Sequence, residues 1–257
     1  MSTNRLHWFR LLVATAVAFA LTSLSQTAHA YRPFDGTDAD VAPPGEFELE
    51  LGPAQYYRQG RSNFLIAPAT VLNLGIAPRL ELVSDFRDFV ALDGDQQGAH
   101  RFRLRDSDLL AKLVLRRGNL QGCSGPSVAI EAGMLLPETG NAGLGMQADT
   151  IVSFAGKNTA LHLNQSLADN RDHRFETFSS AIIEVGRAHE VHPVAEVFFD
   201  HVFGGGSEYS ALAGALWTYS ESLTLDMGLR RSHVEGMAAW EVRLGLTWTT
   251  PLWKPGA

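Results

Sequence analysis

The sequence predicts an all-β fold, a transmembrane antiparallel β-barrel of about twelve strands that follows a cleaved N-terminal signal peptide. Its strand-like segments are rich in Val, Leu, Phe, Trp and Thr, and most of them run for about 10–13 residues. Strands of soluble proteins usually have about five or six residues, whereas a strand tilted across a bilayer needs about 9–11. Apolar and polar residues alternate within the segments, and aromatic residues gather near their ends. Segment length, alternation and aromatic placement together predict the membrane barrel.

The first thirty residues have the layout of a secretory signal peptide. Arg5 and Arg10 give a basic start, LLVATAVAFAL (11–21) is an apolar core, and AHA (28–30) is a cleavage site between small residues. The core is too short for a membrane-spanning helix, which needs about 20 residues. We therefore predict the following division of the chain: a signal peptide over residues 1–30, a periplasmic lead-in segment over 31–46, and an outer-membrane β-barrel over 47–257.

Charge and cysteine content limit the partners of the protein. The 257 residues carry a formal net charge of −7, and removal of a signal peptide with two arginines and no acid leaves −9. This acidic balance argues against nucleic acid and anionic lipid headgroups as partners. Cys123 is the only cysteine, so an exported chain can form no internal disulfide. No motif implies a cofactor.

Twelve candidate strands follow the lead-in segment, and their even number brings the C-terminus back to the side where the first strand begins. Connections at that side are mostly tight, as in GIAP (75–78) and GKN (156–158), although RGNLQGCSGP (117–126) is longer. Connections at the opposite side are mostly longer, including those at 58–64 and 231–239. Short periplasmic turns and longer extracellular loops are typical of outer-membrane barrels. The candidate strands cover residues 47–58, 64–75, 79–90, 106–117, 127–137, 146–156, 159–168, 175–187, 191–202, 208–220, 223–231 and 239–250.

The stretch AWEVRLGLTW (239–248) shows the alternation clearly, with Trp240 and Trp248 at the two ends of one apolar face. A soluble sandwich would turn such a face inward, whereas a membrane barrel turns it towards lipid. Alternation is the same in both, so a soluble periplasmic β-protein remains an alternative. Aromatic residues near strand ends favour the barrel, because they fit girdles at the two membrane surfaces. The residues assigned to these girdles are Phe47, Tyr56, Tyr57, Phe64, Phe86, Phe89, Phe154, Phe175, Phe199, Tyr209, Trp217, Tyr219, Trp240, Trp248 and Trp253.

Four stretches resemble motifs of a known family, and together they extend over nearly the whole mature chain. They are YRPFDGTDADVAPPGEFELELG (31–52), LRDSDLLAKLVLRRG (104–118), GMLLPETGNAGLG (133–145) and LHLNQSL (161–167). The family consists of bacterial outer-membrane barrels that are described as transporters and are associated with the meta-pathway of phenol degradation. The resemblance implies a Gram-negative outer-membrane protein that takes up or handles hydrophobic or aromatic compounds.

The chain departs from the family pattern at two places. TDAD (37–40) replaces a sequence with two adjacent aspartates, and the chain ends in PLWKPGA (251–257) instead of on an aromatic residue. Trp253 is therefore expected to serve as the signal for the barrel-assembly machinery. Asp35, Asp38 and Asp40 could bind a cation, but we assign them to a lead-in that caps or enters the barrel mouth. Whether residues 31–46 plug the barrel stays open.

Polar positions of the alternating strands are expected to line the lumen. Two interpretations remain: an open lumen that passes or binds a small molecule, or a narrow barrel filled by ion pairs with a structural or adhesive role. An open lumen rich in acid would prefer cations or neutral solutes, and the expected partners are outer-membrane lipid and a small-molecule solute. The predicted lumen-lining residues are Glu81, Asp85, Arg87, Lys112, Glu131, His162, Asn164, Glu196, Asp226, Arg230, Glu241 and Arg243, and the inward set also includes Glu48, Arg116, Glu184 and Asp200.

Other motifs give only weak support for a metal site, a hydrolase active site or a phosphate-binding loop. In HEVH (189–192) the two histidines would point to opposite faces of a strand, so we expect no metal site. His173, His201 and His233 fall near loop ends close to serines, but no nucleophile-elbow pattern surrounds those serines. FGGGSE (203–208) lacks the lysine and the helix of a phosphate-binding loop. We therefore expect no enzyme, and an outer-membrane hydrolase remains the less favoured alternative.

Overall fold

A computed structural model describes residues 32–93 and 102–253, so the predicted signal peptide lies outside the described residues. In these ranges the chain forms fourteen strand segments joined mostly by short turns. No helix in the described part of the chain is long and apolar enough to cross a bilayer. The segments are β1 Glu46–Gly52, β2 Gln55–Gln59, β3 Ser62–Ala77, β4 Leu80–Ala91, β5 Phe102–Arg105, β6 Asp108–Arg116, β7 Ser127–Leu135, β8 Gly145–Ala155, β9 Thr159–Asp169, β10 Phe175–Val185, β11 Val191–Val202, β12 Ser207–Ser220, β13 Leu223–Val234 and β14 Met237–Pro251, with a 3₁₀ turn at Asn119–Gln121.

The sheet closes on itself through its first and last strands. Each strand pairs antiparallel with its neighbour, and both β1 and β2 pair with β3 on one side and β14 on the other. In the closing register Leu49 lies opposite Trp248, and Tyr56 lies opposite Val242. Because β1 and β2 form one interrupted strand, and β5 and β6 form another, the fourteen described segments make a barrel of twelve strands. The predicted fold class is confirmed.

The strand bounds differ from the prediction mainly at the far end of the barrel, opposite the end where β1 begins. β13 continues to Val234 and β14 begins at Met237, where the sequence predicted a long connection. The turn between them holds Glu235 at φ 48° and Gly236 at φ 84°. Two successive positive φ angles are typical of the tight hairpin turn that matches the twist of antiparallel strands. The predicted contrast between long and short connections is therefore weaker here, because alternation in these strands runs on to the turn.

Apolar side chains face outward and charged side chains face inward. On β14, Trp240, Leu244 and Trp248 are exposed, whereas Glu241 and Arg243 are only 1% and 3% exposed. On β9 every second residue is buried, in the order expected for one face of a pleated strand. This distribution is the reverse of that in a soluble sandwich and is suited to surrounding lipid. The soluble alternative is wrong.

The aromatic girdle prediction is correct in part. Tyr56, Trp217, Tyr219 and other aromatic residues of the set are exposed on the outer surface. The remaining members include Tyr57, Phe64 and Phe89, which line the interior cavity instead. Their position near strand ends is as predicted, but each occupies an inward place in the alternation, as Tyr57 does directly after the outward Tyr56. Assignment of these three residues to a girdle is therefore wrong.

The outward face leads to a prediction about Leu244, which lies midway along β14 on the outer surface. Leu244→Arg should lower the free energy of unfolding by about 2–4 kcal/mol, because it places a charge near the centre of the bilayer. The measurement is urea unfolding of the barrel folded into lipid vesicles.

The matched control is Ala238→Arg, which puts the same side chain on the outer surface next to the tip of the β13–β14 hairpin. There the effect should fall to about 0–1 kcal/mol, because the position lies near the membrane surface. Equal losses at Leu244 and Ala238 would contradict the depth that we assign to β14.

Candidate functional site in the barrel lumen

Residues 32–45, called the plug below, enter the barrel and cross its interior. The Thr37 amide donates to Asn164 Oδ1 of β9 at 3.1 Å, and the Ala39 amide donates to Ser153 Oγ of β8 at 3.0 Å. The plug ends at Gly45, whose amide donates to the Gly75 carbonyl of β3 at 2.8 Å. Most of these partners are side chains of the barrel wall. The lead-in segment therefore fills part of the lumen.

The Asp35 carboxylate lies among three arginines of the wall. Its oxygens are 2.9 Å from Arg230 Nη1, 3.0 Å from Arg243 Nη2 and 3.7 Å from Arg87 Nη1. Burial alone would raise the pKa of Asp35, but the positive charges of these arginines outweigh it and hold the pKa of this carboxyl well below its usual range. Asp35 is therefore ionised at neutral pH, and it anchors the plug to β13 and β14.

Glu241 fixes the same two guanidinium groups from within the wall. Its carboxylate accepts from Arg243 Nε at 3.0 Å and lies 3.1 Å from Arg230 Nε. Arg243 Nη1 also donates to the Pro33 carbonyl at 2.6 Å. Because Glu241 contacts the Nε atoms of both guanidinium groups, their terminal Nη groups are directed at Asp35. We call Asp35, Arg230, Arg243 and Glu241 the arginine clamp.

Glu196 of β11 provides a second polar contact beside the arginine clamp. Its two carboxylate oxygens accept the Asp35 and Gly36 amides, each at 2.8 Å. Gly36 approaches the wall so closely that a Cβ would collide with the side chains of Ser180 and Asn164. The absence of a side chain at Gly36 therefore permits this backbone to reach Glu196.

Phe34 of the plug occupies an apolar pocket in the barrel wall. The pocket is formed by inward residues of β10, β11 and β12, and all of them are buried. Pro33 packs near Gly228 of β13, where a Cβ would meet the proline ring at 3.2 Å. The plug therefore places an aromatic ring, two amide donors and a carboxylate in one compact region. The pocket residues are Ile182, Val194, Leu212 and Leu216.

Lys112 of β6 binds the next part of the plug. Its ammonium donates to Thr37 Oγ1 at 3.0 Å and lies 3.8 Å from Asp38 Oδ1. Glu81 and Glu131 stand opposite Lys112 on the two neighbouring strands. Lys112 therefore joins the plug to an acidic part of the wall.

The lumen that the plug leaves free forms a cavity with a volume of about 850 Å³. Its lining contains about twice as many acidic as basic side chains, together with two groups of aromatic rings. Tyr57, Phe64 and Phe89 have ring centroids 6.2 Å apart, and Phe178 lies 5.2 Å from Phe198. The sequence analysis missed Phe178 and Phe198, although both have the inward parity of Ser180 and Glu196 on the same strands.

The structure places the twelve predicted lumen residues in two groups. Three of them lie buried in the wall, where His162 contacts Ser153, Glu196 contacts the plug and Asp226 lies 3.4 Å from Arg32. Arg116, from the wider inward set, is exposed and donates to carbonyls of the 117–126 turn, because a bulge shifts the register at the end of β6. The nine that line the cavity are Glu81, Asp85, Arg87, Lys112, Glu131, Asn164, Arg230, Glu241 and Arg243.

The histidines form no metal centre in the described residues. No group of three or more His, Cys, Asp or Glu in the described ranges could hold a metal ion. His192 is buried and lies 3.0 Å from the Glu184 carboxylate, whereas His189 is exposed. The two histidines of the HEVH motif are thus separated, as their place at a strand start predicts.

Two serine–histidine pairs bear on the hydrolase alternative. His201 Nδ1 lies 2.8 Å from Ser207 Oγ. Ser153 Oγ lies 2.8 Å from His162 Nδ1, and His162 Nε2 lies 3.1 Å from Glu184. Ser153 is fully buried and its hydroxyl also accepts the plug amide of Ala39, so this hydroxyl has no access to a substrate while the plug is in place.

Comparison with known proteins supports the fold alone. No protein-family model matches the chain, and no curated protein sequence matches it. An outer membrane channel from Pseudomonas putida F1 has a TM-score of 0.61 at 11% identity, over 84% of this chain and 100% of that chain. The KdgM porin in complex with disordered oligogalacturonate has a TM-score of 0.49 at 9% identity, over 79% and 98%, and the CymD monoaromatic hydrocarbon channel has 0.43 at 7% identity, over 82% and 89%. The likeness to the first of these structures identifies the fold as that of an outer-membrane β-barrel.

The arginine clamp leads to a prediction about Asp35. Asp35→Asn should lower the free energy of unfolding at pH 7 by about 3 kcal/mol, because it leaves buried guanidinium groups short of a charged partner. The lowered pKa of folded Asp35 means that this stabilisation is present above about pH 4 and is lost only as the pH falls further. The measurement is urea unfolding of the detergent-folded barrel over a series of pH values.

Asp93→Asn is the control, because Asp93 is an exposed carboxylate at the far end of β4. It should change the free energy of unfolding far less than Asp35→Asn. If the difference between wild type and Asp35→Asn disappears already near pH 6, the arginines do not hold Asp35 in the way described.

Proposed function

We propose that the protein is an outer-membrane channel that passes small molecules through a partly plugged lumen. The observation that carries this proposal is the cavity of about 850 Å³ inside a closed, lipid-facing barrel. A volume of this size is within the range of about 300–1,000 Å³ that is common for small-molecule sites. The solved structure that matches this chain with a TM-score of 0.61 is described as an outer membrane channel, which supports the same role.

The solutes of this channel are small hydrophobic or aromatic compounds. Rings of Tyr57, Phe64 and Phe89 on one wall, and of Phe178 and Phe198 on another, offer faces on which an aromatic solute can stack. Charged side chains surround both groups and keep the path hydrated. The motif resemblance to barrels associated with the meta-pathway of phenol degradation supports the same class of solute.

The route to the membrane follows from the same proposal. A signal peptide over residues 1–30 directs export, and the barrel-assembly machinery inserts the mature chain into outer-membrane lipid. Trp253, which is exposed beside the end of β14, is the aromatic residue that serves as the assembly signal. In this orientation the plug enters the lumen from the periplasmic side.

The rival function is a closed barrel with a structural or adhesive role. The plug supports this rival, because its contacts with Glu196, the arginine clamp and Lys112 fill much of one side of the lumen. The two functions differ in conductance. A channel requires the plug to move aside for a solute or an ion, whereas a structural barrel does not.

A planar bilayer recording separates these functions. We expect the mature wild-type protein to give discrete openings, and Gly36→Leu to increase the time spent open about tenfold, because a side chain at Gly36 cannot fit against Ser180 and Asn164. Both proteins should carry cations in preference to anions, because acids dominate the lining. Leu244→Met, a conservative change on the outer surface, is the control and should behave as wild type.

Silence from wild type and from Gly36→Leu, when both show the heat-sensitive gel mobility of a folded barrel, would exclude the channel. A clear anion preference would leave the channel in place but contradict the part assigned to the acidic lining.

A further inference from the structure

We propose that the lumen contains a binding site for a small zwitterion with one aromatic group, such as an aromatic amino acid, and that the plug occupies this site as an internal substitute. The groups of the plug concerned are the Phe34 ring, the Asp35 carboxylate and the amides of Asp35 and Gly36. This inference rests on the proposed channel function and identifies the solute that the lumen recognises.

The first part of the site is the apolar pocket around Phe34. Residues of three adjacent strands form it, and they face inward in a barrel whose other inward residues are mostly charged or polar. Ile182 is fully buried, and Val194 and Leu212 are nearly so. An apolar pocket in a polar lumen would bind an aromatic side group of a solute in the same way as it binds Phe34.

The second part is the arginine clamp, which selects a carboxylate. Arg230 and Arg243 each direct an N–H group at Asp35, at 2.9 and 3.0 Å. Glu241 holds both arginines through separate contacts that do not involve the plug. Paired guanidinium donors of this kind suit the planar geometry of a carboxylate.

The third part is Glu196, which selects a positively charged donor. It accepts two amide N–H groups at 2.8 Å, one on Asp35 itself and one on Gly36. An ammonium group has enough N–H donors to replace both amides and adds a charge opposite to that of the carboxylate. A solute with a carboxylate and no ammonium would instead leave Glu196 without a donor, close to its own negative charge.

The three parts lie within the span of three consecutive residues of the plug, from Phe34 to Gly36. A single amino acid also carries an ammonium, a carboxylate and a side group close together, all on one carbon. The zero net charge of such a zwitterion also suits a lumen in which acids outnumber bases, because an anion would be repelled at the cavity wall. The chemistry of the wall therefore fits an aromatic zwitterion better than an aromatic anion.

The plug competes with any free solute because both are held in one lumen. A tethered segment has an effective concentration of about the millimolar range, so the solute binds wild type only weakly. Asp35→Asn weakens the plug and leaves every wall residue of the site unchanged. This substitution is nearly isosteric, so it preserves the volume of the plug.

The test is isothermal titration calorimetry of the full mature chain, folded in detergent, with three probes of similar size. L-Phenylalanine carries both charges, 3-phenylpropionate lacks the ammonium, and phenethylamine lacks the carboxylate. We expect Asp35→Asn to bind phenylalanine about tenfold more tightly than wild type does, and each of the other probes about tenfold more weakly than phenylalanine. Arg243→Gln, added to Asp35→Asn, should reduce phenylalanine binding to the level of phenethylamine.

Equal binding of the three probes by folded Asp35→Asn, or binding of none, would overturn this inference. Heat-sensitive gel mobility establishes that each variant is folded, and Gly36→Leu, which displaces the plug without a change of charge, provides a second route to the same comparison. Bilayer recording of the same preparations keeps the two proposals separate. Open channels that do not distinguish the probes contradict the zwitterion site alone, whereas silent barrels that bind phenylalanine contradict the channel alone.

Discussion

The structure depends on one constraint, which is that a sheet surrounded by lipid must satisfy all its backbone hydrogen bonds internally. Closure of β14 onto β1 and β2 meets this constraint and removes both edges of the sheet. Period-two alternation then has only one arrangement, with Trp240 and Leu244 towards lipid and Glu241 and Arg243 towards the lumen. The charged interior is therefore a consequence of closure.

A charged interior in a barrel of this size needs partners for its side chains. Removal of a charge from water is unfavourable unless another charge or several hydrogen bonds replace the hydration shell. Wall residues supply part of this requirement, as Glu241 does for two arginines. The plug supplies the rest, since Asp35 completes the arginine clamp and Thr37 accepts from Lys112. The proposed channel requires the plug to move, and its contacts, which are mainly polar, are of a kind that a solute of matching chemistry can replace.

The sequence was sufficient to predict the barrel, since strand length and alternation follow directly from the thickness and polarity of a bilayer. It was also sufficient to assign inward parity to residues such as Lys112 and Arg243. It could not give the path of the plug, because residues 32–45 have no periodicity and their contacts depend on which wall residues the closed barrel brings together. Asp35 illustrates this limit, since its three arginine partners are at least fifty residues away in the chain. Tyr57, Phe64 and Phe89 were misassigned because an aromatic residue near a strand end can lie either at the membrane surface or at the mouth of the cavity.

The central claim is that solutes pass only when the plug leaves the wall. A reversible lock tests it directly: Ala39→Cys and Ala129→Cys, which place thiols at two fully buried positions of one apolar cluster, in a chain with Cys123→Ser. Conductance of the oxidised and the reduced protein is recorded in the same bilayer. The account predicts silence from the oxidised protein and channel openings after addition of a reductant. Equal conductance before and after reduction, with the disulfide verified by mass spectrometry, would contradict it.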